Sequence, residues 1–127
     1  MDESCVMTWT GNRLIARLSG EVDHHRASRL RDLLDREIRS AAEKHCLVDL
    51  IFDFEDVTFM DSSGIGVVMG RYNTICETGG TVYVTGCGPY VERILEMSGV
   101  FLITKKRKNV QEALDESEGR VKENHVH

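Results

Sequence analysis

The alternation of apolar and polar positions near the N-terminus gives way to a helical period within thirty residues. Residues 5–9 (CVMTW) and 13–19 (RLIARLS) have the pattern of two strands, and a turn between them makes a β-hairpin. Apolar residues then recur at spacings of three and four, which predicts a helix over 24–44. Asp23 directly precedes this helix and is a suitable N-cap.

The rest of the chain alternates between strand and helix patterns. The segment 47–54 (LVDLIFDF) is almost continuously apolar, which is typical of a central strand. Further along, the sequence predicts a loop at Glu55-Asp56, a short strand at 57–60, a helix over 62–78, a strand over 81–85, a helix from Pro89 to Gly99, a strand over 101–103 and a helix over 110–116. This order predicts an α/β fold with a mixed sheet of four to five strands and three to four helices packed against it.

Length and composition indicate one ordinary globular domain. The chain has 127 residues, of which 41% are hydrophobic and 29% charged. From about Glu118 the sequence is polar, so we expect a domain over 1–118 and a flexible tail over 119–127. The apolar stretches are shorter than the roughly 20 residues of a membrane span, and the acidic start does not resemble a signal peptide. We therefore expect no membrane association, and we expect a cytoplasmic location.

The charge argues against a nucleic-acid-binding function. A net charge of −5 does not suit phosphate contacts, which need a basic face. The basic cluster from Lys105 to Lys108 is short, and acidic sequence follows it, so a solvated loop explains it.

The segment FMDSSGIGVVMGRY, residues 59–72, carries the candidate chemistry. Asp61 stands where the strand pattern ends and the helix pattern begins, which makes it the natural N-cap. Ser62 and Ser63 then occupy the first helical positions, where backbone N–H groups are unpaired and the helix dipole is positive. This end of the helix suits a phosphate attached to a serine, although capping alone also explains the three residues.

Three glycines follow, and each costs roughly 1 kcal/mol relative to alanine inside a helix. Gly66 and Gly70 are one turn apart, near Val67, and lie away from the predicted core stripe of Ile65, Val68, Met69, Tyr72, Ile75 and Cys76. A face without side chains lets the backbone of another protein approach Ser62. For Gly64, close packing of the helix on the sheet is a competing explanation.

Enzyme, metal and cofactor motifs do not fit the sequence. SSGIG lacks the G-x-S-x-G order of a nucleophile elbow, and Met69 occupies the third glycine position of a dinucleotide loop. The adjacent His24 and His25 would point about 100° apart on a helix, which does not suit a metal site. We therefore predict no catalytic activity, no metal and no cofactor.

The block FMDSSGIGVVMGRY, with LSGEVDHH upstream and MSGVF downstream, resembles the STAS family of anti-sigma factor antagonists over roughly residues 5–115. The paired histidines and the G-R-Y ending are similar to the sporulation type of that family. The resemblance implies a switch protein without catalysis of its own. Its dephosphorylated form would bind an anti-sigma factor with serine kinase activity and so release the sigma factor. That kinase would phosphorylate Ser62, and a separate serine phosphatase would reverse the modification.

Asp23 matches the family's G-E-x-D position, which the resemblance assigns to the kinase-docking surface. The residues expected at the partner surface are Asp23, Asp61, Ser63, Gly64, Gly66, Val67, Gly70 and Arg71. A monomer is expected. An alternative remains open, in which the domain binds a nucleotide or another small anion at the helix start near Ser62.

Overall fold

The computed structural model describes residues 5–44 and 48–126, with side chains described as far as Arg120. The predicted strand start at Leu47 therefore lies outside the described residues. The strands are β1 (Cys5–Thr10), β2 (Arg13–Val22), β3 (Asp49–Met60), β4 (Val82–Thr85) and β5 (Lys105–Arg107). The helices are α1 (His24–Ala42), α2 (Ser62–Glu77), α3 (Pro89–Met97), α4 (Val100–Ile103) and α5 (Val110–Val126).

The five strands form one mixed sheet in the order β1-β2-β3-β4-β5. The predicted hairpin makes β1 antiparallel to β2, whereas β2, β3, β4 and β5 are parallel to one another. Because β2 and β3 are parallel and Val22 pairs with Met60, both strands end at the same edge of the sheet. The helices α1 and α2 begin at that edge, which brings their N-termini together.

The sheet is covered on both faces, which explains the almost continuous apolar character of β3. Leu50, Phe52 and Phe54 belong to the main core, together with buried residues of α1, α2, α3 and α4. Ile51 points to the other face and packs in a smaller cluster with Ala113 of α5. A strand that alternates between two buried faces needs apolar residues at nearly every position.

Three predicted assignments of secondary structure are wrong. β3 runs through Glu55 and Asp56 to Met60 as one strand, and its pairing with β2 shifts register twice in this part instead of opening into a loop. Residues 101–103 belong to the short helix α4 rather than a strand, and Gly99 at φ 84° turns the chain into it. The fifth strand is the basic segment Lys105–Arg107, predicted as a loop, which forms a charged edge of the sheet.

The last helix is longer than the predicted 110–116 and continues beyond residue 118, where the sequence placed the end of the domain. A polar network holds it against the sheet. The guanidinium of Arg120 and the hydroxyl of Ser117 both donate to the carboxylate of Asp49, which is 1% exposed at the start of β3. Arg13 in turn donates from Nε to Oγ of Ser117 at 2.6 Å. The polar segment that predicted a tail thus includes Arg120, which pairs with a buried carboxylate.

Candidate functional site

Two aspartates cap two neighbouring helices at one edge of the sheet. The carboxylate of Asp61 accepts a hydrogen bond from the backbone N–H of Ser63 at 2.8 Å. The carboxylate of Asp23 accepts from the N–H groups of His25 and Arg26 at 3.1 and 3.2 Å. The two caps are adjacent, because the N–H of Asp61 donates to the carbonyl of Val22, the residue before Asp23, at 3.3 Å.

Ser62 is the first residue of α2 and its side chain is exposed, whereas Ser63 is half-buried. Each aspartate has an extended backbone, with φ near −110°, and the helix turns away immediately after it. No acidic residue lies in the first turn of α2, so the positive end of the helix dipole is not neutralised there by a side chain beyond the cap. A phosphate on Ser62 would meet both this dipole and the open solvent.

The side of α2 that faces the core differs from the predicted stripe. The buried residues of the helix are Gly64, Val67, Val68, Arg71 and Ile75, while Met69 and Cys76 are exposed. The predicted stripe is therefore rotated by roughly a quarter turn about the helix axis. The reason is that a glycine and an arginine occupy core-facing positions, so hydrophobicity alone could not mark that side.

This rotation corrects the predicted roles of Gly64, Val67 and Arg71. Val67 is 1% exposed and cannot offer its side chain to a partner. Gly64 is buried against the ends of β2 and β3, where an added Cβ would lie 2.7 Å from Cγ of Met60. The glycine at position 64 is therefore explained by close packing of α2 on the sheet, which was the competing explanation.

Arg71 is also buried, and it joins α2 to α1. Its Nε lies 2.9 Å from Oδ1 of Asp35 in an ion pair between the two helices. Burial lowers the pKa of Arg71, and the charge of Asp35 offsets part of this effect. We conclude that Arg71 helps to fix α2 against α1 and so holds the two capped N-termini in place.

Gly66 and Gly70 face open space, because a Cβ added at either position would meet no atom within 4 Å. Folding therefore does not require glycine at these two positions. The exposed stripe that begins at Ser62 continues through Gly66, Met69 and Asn73. Sequence reasoning missed Met69 and Asn73, although a step of 100° per residue from an exposed Ser62 would have placed both on its face.

The described residues also bear on other kinds of site. Across 5–44 and 48–120, no group of three or more histidine, cysteine or acidic side chains could hold a metal ion. Among the helices of the described chain, none combines the length and the hydropathy that a membrane span requires. Of the described cysteines, Cys5 is buried, whereas Cys76 is exposed and Cys87 is half-buried, and the last two are free thiols.

The chain belongs to the STAS domain family, whose sequence profile matches residues 5–113. It is 42% identical over 105 residues to the anti-sigma F factor antagonist of Paenibacillus polymyxa, covering 83% of this chain and 86% of that protein. The predicted α/β fold class with a mixed sheet is confirmed. The described residues form five strands and five helices, which is one helix more than predicted.

Two solved structures of SpoIIAA have the same fold. The anti-sigma factor antagonist SpoIIAA in its unphosphorylated form matches with a TM-score of 0.78 and 29% identity, over 91% of this chain and 96% of that one. The Bacillus cell fate determinant SpoIIAA in its phosphorylated form matches with a TM-score of 0.68 and 28% identity, over 88% and 97%.

Proposed function

We propose that this chain is an anti-sigma factor antagonist that phosphorylation of Ser62 switches off. In its unphosphorylated form it binds an anti-sigma factor with serine kinase activity, and the bound sigma factor is released. The observation that carries this proposal is the position of Ser62, exposed at the start of α2 beside a helix face that folding leaves open. The likeness to proteins named anti-sigma F factor antagonists supports it.

The phosphate acts on the interface rather than on the fold. Phosphorylation adds roughly −1.5 to −2 charges at pH 7. The N-terminus of a helix accommodates such a charge, so the domain stays folded. A partner seated on the stripe through Ser62, Gly66 and Met69 would have to bury that charge, and burying an unpaired charge is costly. Phosphorylation therefore weakens binding through desolvation and repulsion at the contact surface.

The partner surface consists of the exposed residues of this edge. Asp23 and Asp61 hold the two helix starts and are themselves partly accessible, while Gly66 and Gly70 let a partner backbone approach. Asp23, Asp61, Ser63, Gly66 and Gly70 remain candidates for direct contact. A cytoplasmic serine phosphatase that restores the free hydroxyl completes the cycle, and the chain itself performs no catalysis.

A phosphorylation assay tests the proposal. The wild-type protein and the variants Ser62→Ala and Ser63→Ala are incubated with the anti-sigma F factor of the same organism and ATP, and modified residues are mapped by mass spectrometry. We expect one phosphate on Ser62 in the wild type and in Ser63→Ala, and none in Ser62→Ala. Undiminished labelling of Ser62→Ala would refute the assignment.

The nucleotide hypothesis places a small anion at the helix start near Ser62, and the main cleft among the described residues lies elsewhere. The described residues form a cleft of about 610 Å³ that Ile15, Arg17, Lys108 and Val110 help to line. Ser62 is not among its lining residues. We therefore put forward the phosphorylation switch alone.

A further inference from the structure

Two exposed aromatic rings stand next to the end of β3. Phe59 is 39% exposed and Tyr90, near the start of α3, is 51% exposed. Their ring centroids lie 6.2 Å apart with an interplanar angle of 27°, so the rings stack on one another. Rings of this size are usually buried, and a half-exposed pair needs an explanation.

The pair is attached to the end of β3, the strand that leads into Asp61 and Ser62. The hydroxyl of Tyr90 donates to the carbonyl of Met60 at 3.4 Å, and Met60 directly precedes Asp61. Phe59 is itself a residue of β3, three positions before Ser62. Stacking restricts both rings before any partner arrives, which reduces the entropy lost when they are covered.

We propose that Phe59 and Tyr90 form an aromatic anchor for the anti-sigma factor kinase that acts on Ser62. This inference rests on the proposed function, since it names a further contact of the same interface. Met69 on the exposed stripe of α2 that begins at Ser62 is also apolar, and it is 38% exposed. Aromatic residues and methionine are enriched in protein interfaces, and a few aromatic anchors commonly carry most of the binding energy.

The size of an ordinary interface places the pair inside the footprint of this partner. A standard interface covers about 800 Å² on each side, which corresponds to a disc about 16 Å in radius. The Cα atom of Phe59 lies at most about 10 Å from that of Ser62, because a strand rises about 3.4 Å per residue. An interface of this size centred on the Ser62 hydroxyl would therefore extend over the backbone of Phe59, and the ring of Tyr90 stacks on that of Phe59.

Binding measurements on single variants test the anchor. Unphosphorylated wild type, Phe59→Ala and Tyr90→Ala are titrated with the anti-sigma F factor of the same organism in a calorimeter. We expect each alanine variant to raise Kd at least tenfold, because truncation of an interface aromatic removes a major contact. Circular dichroism melting checks that the variants are folded, and the exposed Tyr90 leaves Tyr90→Ala close to wild type in Tm.

Two control variants separate the contribution of the aromatic rings to Kd from other effects of substitution. Tyr90→Phe keeps the stacked ring and loses the hydroxyl, and we expect its Kd within threefold of wild type. Val6→Ala removes another half-exposed apolar side chain, which lies on β1. Val6 pairs with Arg17 of β2, and Arg17 is five residues before Val22, so Val6 is remote from the helix starts. Its Kd should also change less than threefold. If both alanine variants at the pair bind within threefold of wild type, the anchor is refuted.

The outcomes separate this inference from the proposed function. A Ser62→Asp variant that binds as tightly as wild type contradicts the phosphorylation switch, while the ring variants still decide the anchor. A wild-type protein that does not bind the anti-sigma factor contradicts both. A wild-type dimer in sedimentation that Tyr90→Ala converts to monomers shows that the pair contacts a second copy, and it overturns the anchor.

Discussion

The glycines of α2 should respond to alanine in opposite directions, and Gly64 gives the sharpest case. A Cβ at Gly64 would lie 2.7 Å from Cγ of Met60, 3.0 Å from Cγ1 of Val22 and 3.1 Å from the carbonyl oxygen of Val22. Non-bonded carbon atoms prefer a separation of about 3.5–4.0 Å. Met60 and Val22 are 1% and 0% exposed, and the carbonyl is fixed because it accepts from Asp61.

The expected magnitude follows from two opposing contributions. Overpacking of a closed core costs about 1–3 kcal/mol, and replacing glycine inside a helix regains up to about 1 kcal/mol. Gly64→Ala should therefore lower the free energy of unfolding by about 0–2 kcal/mol. Gly66→Ala is the matched control, because its added Cβ meets no atom within 4 Å. It should stabilise the protein by about 0.4–1 kcal/mol.

Urea unfolding followed by circular dichroism measures both variants against wild type. For a domain of this size 1 kcal/mol corresponds to about 3–5 °C in Tm, so a thermal melt resolves the difference as well. We expect Gly66→Ala to be the more stable variant by about 0.4–3 kcal/mol. If Gly64→Ala is equally stable or more stable, the close contact between α2 and the strand ends is not what requires glycine there.

Three further outcomes are expected from the same site and its surroundings. Ser62→Asp should fold normally, with a stability gain of about 0.3–1 kcal/mol from the helix dipole, and lose anti-sigma factor binding in calorimetry. Gly70→Leu should keep a near-wild-type Tm and fail to bind the anti-sigma factor in a pull-down, because the added side chain would project into open space at the proposed partner surface. Normal binding of this variant would place the partner surface elsewhere on the domain. Cys87 should alkylate more slowly than the exposed Cys76 at pH 8 in peptide mapping, because burial raises the pKa of Cys87 to about 12 and leaves almost no thiolate.

The sequence predicted the elements that depend on local signals. The N-caps at Asp23 and Asp61 were identified because an aspartate before a helical pattern satisfies unpaired N–H groups, and both carboxylates accept such bonds. The order of strands and helices also identified the fold class. These features are encoded within a few residues of where they occur.

The sequence could not predict features that depend on distant partners. Arg71 is buried in an ion pair with Asp35 of α1. The residues next to Arg71 in the sequence contain no pattern that predicts this contact. The segment 101–103 is too short for its apolar residues to distinguish a strand from a turn of helix. The basic residues 105–107 look like a solvated loop, but pairing with β4 makes them an edge strand.

The central claim is that one hydroxyl at the start of α2 controls partner binding. The most direct measurement titrates one preparation of the wild-type protein with the anti-sigma F factor of the same organism, before and after phosphorylation by that factor with ATP. Intact mass and peptide mapping determine the extent and the position of the modification. We predict tight binding before the reaction, one phosphate on Ser62, and at least a tenfold rise in Kd after it. Equal affinity of the phosphorylated and unphosphorylated forms, or a phosphate on another residue, would contradict the account.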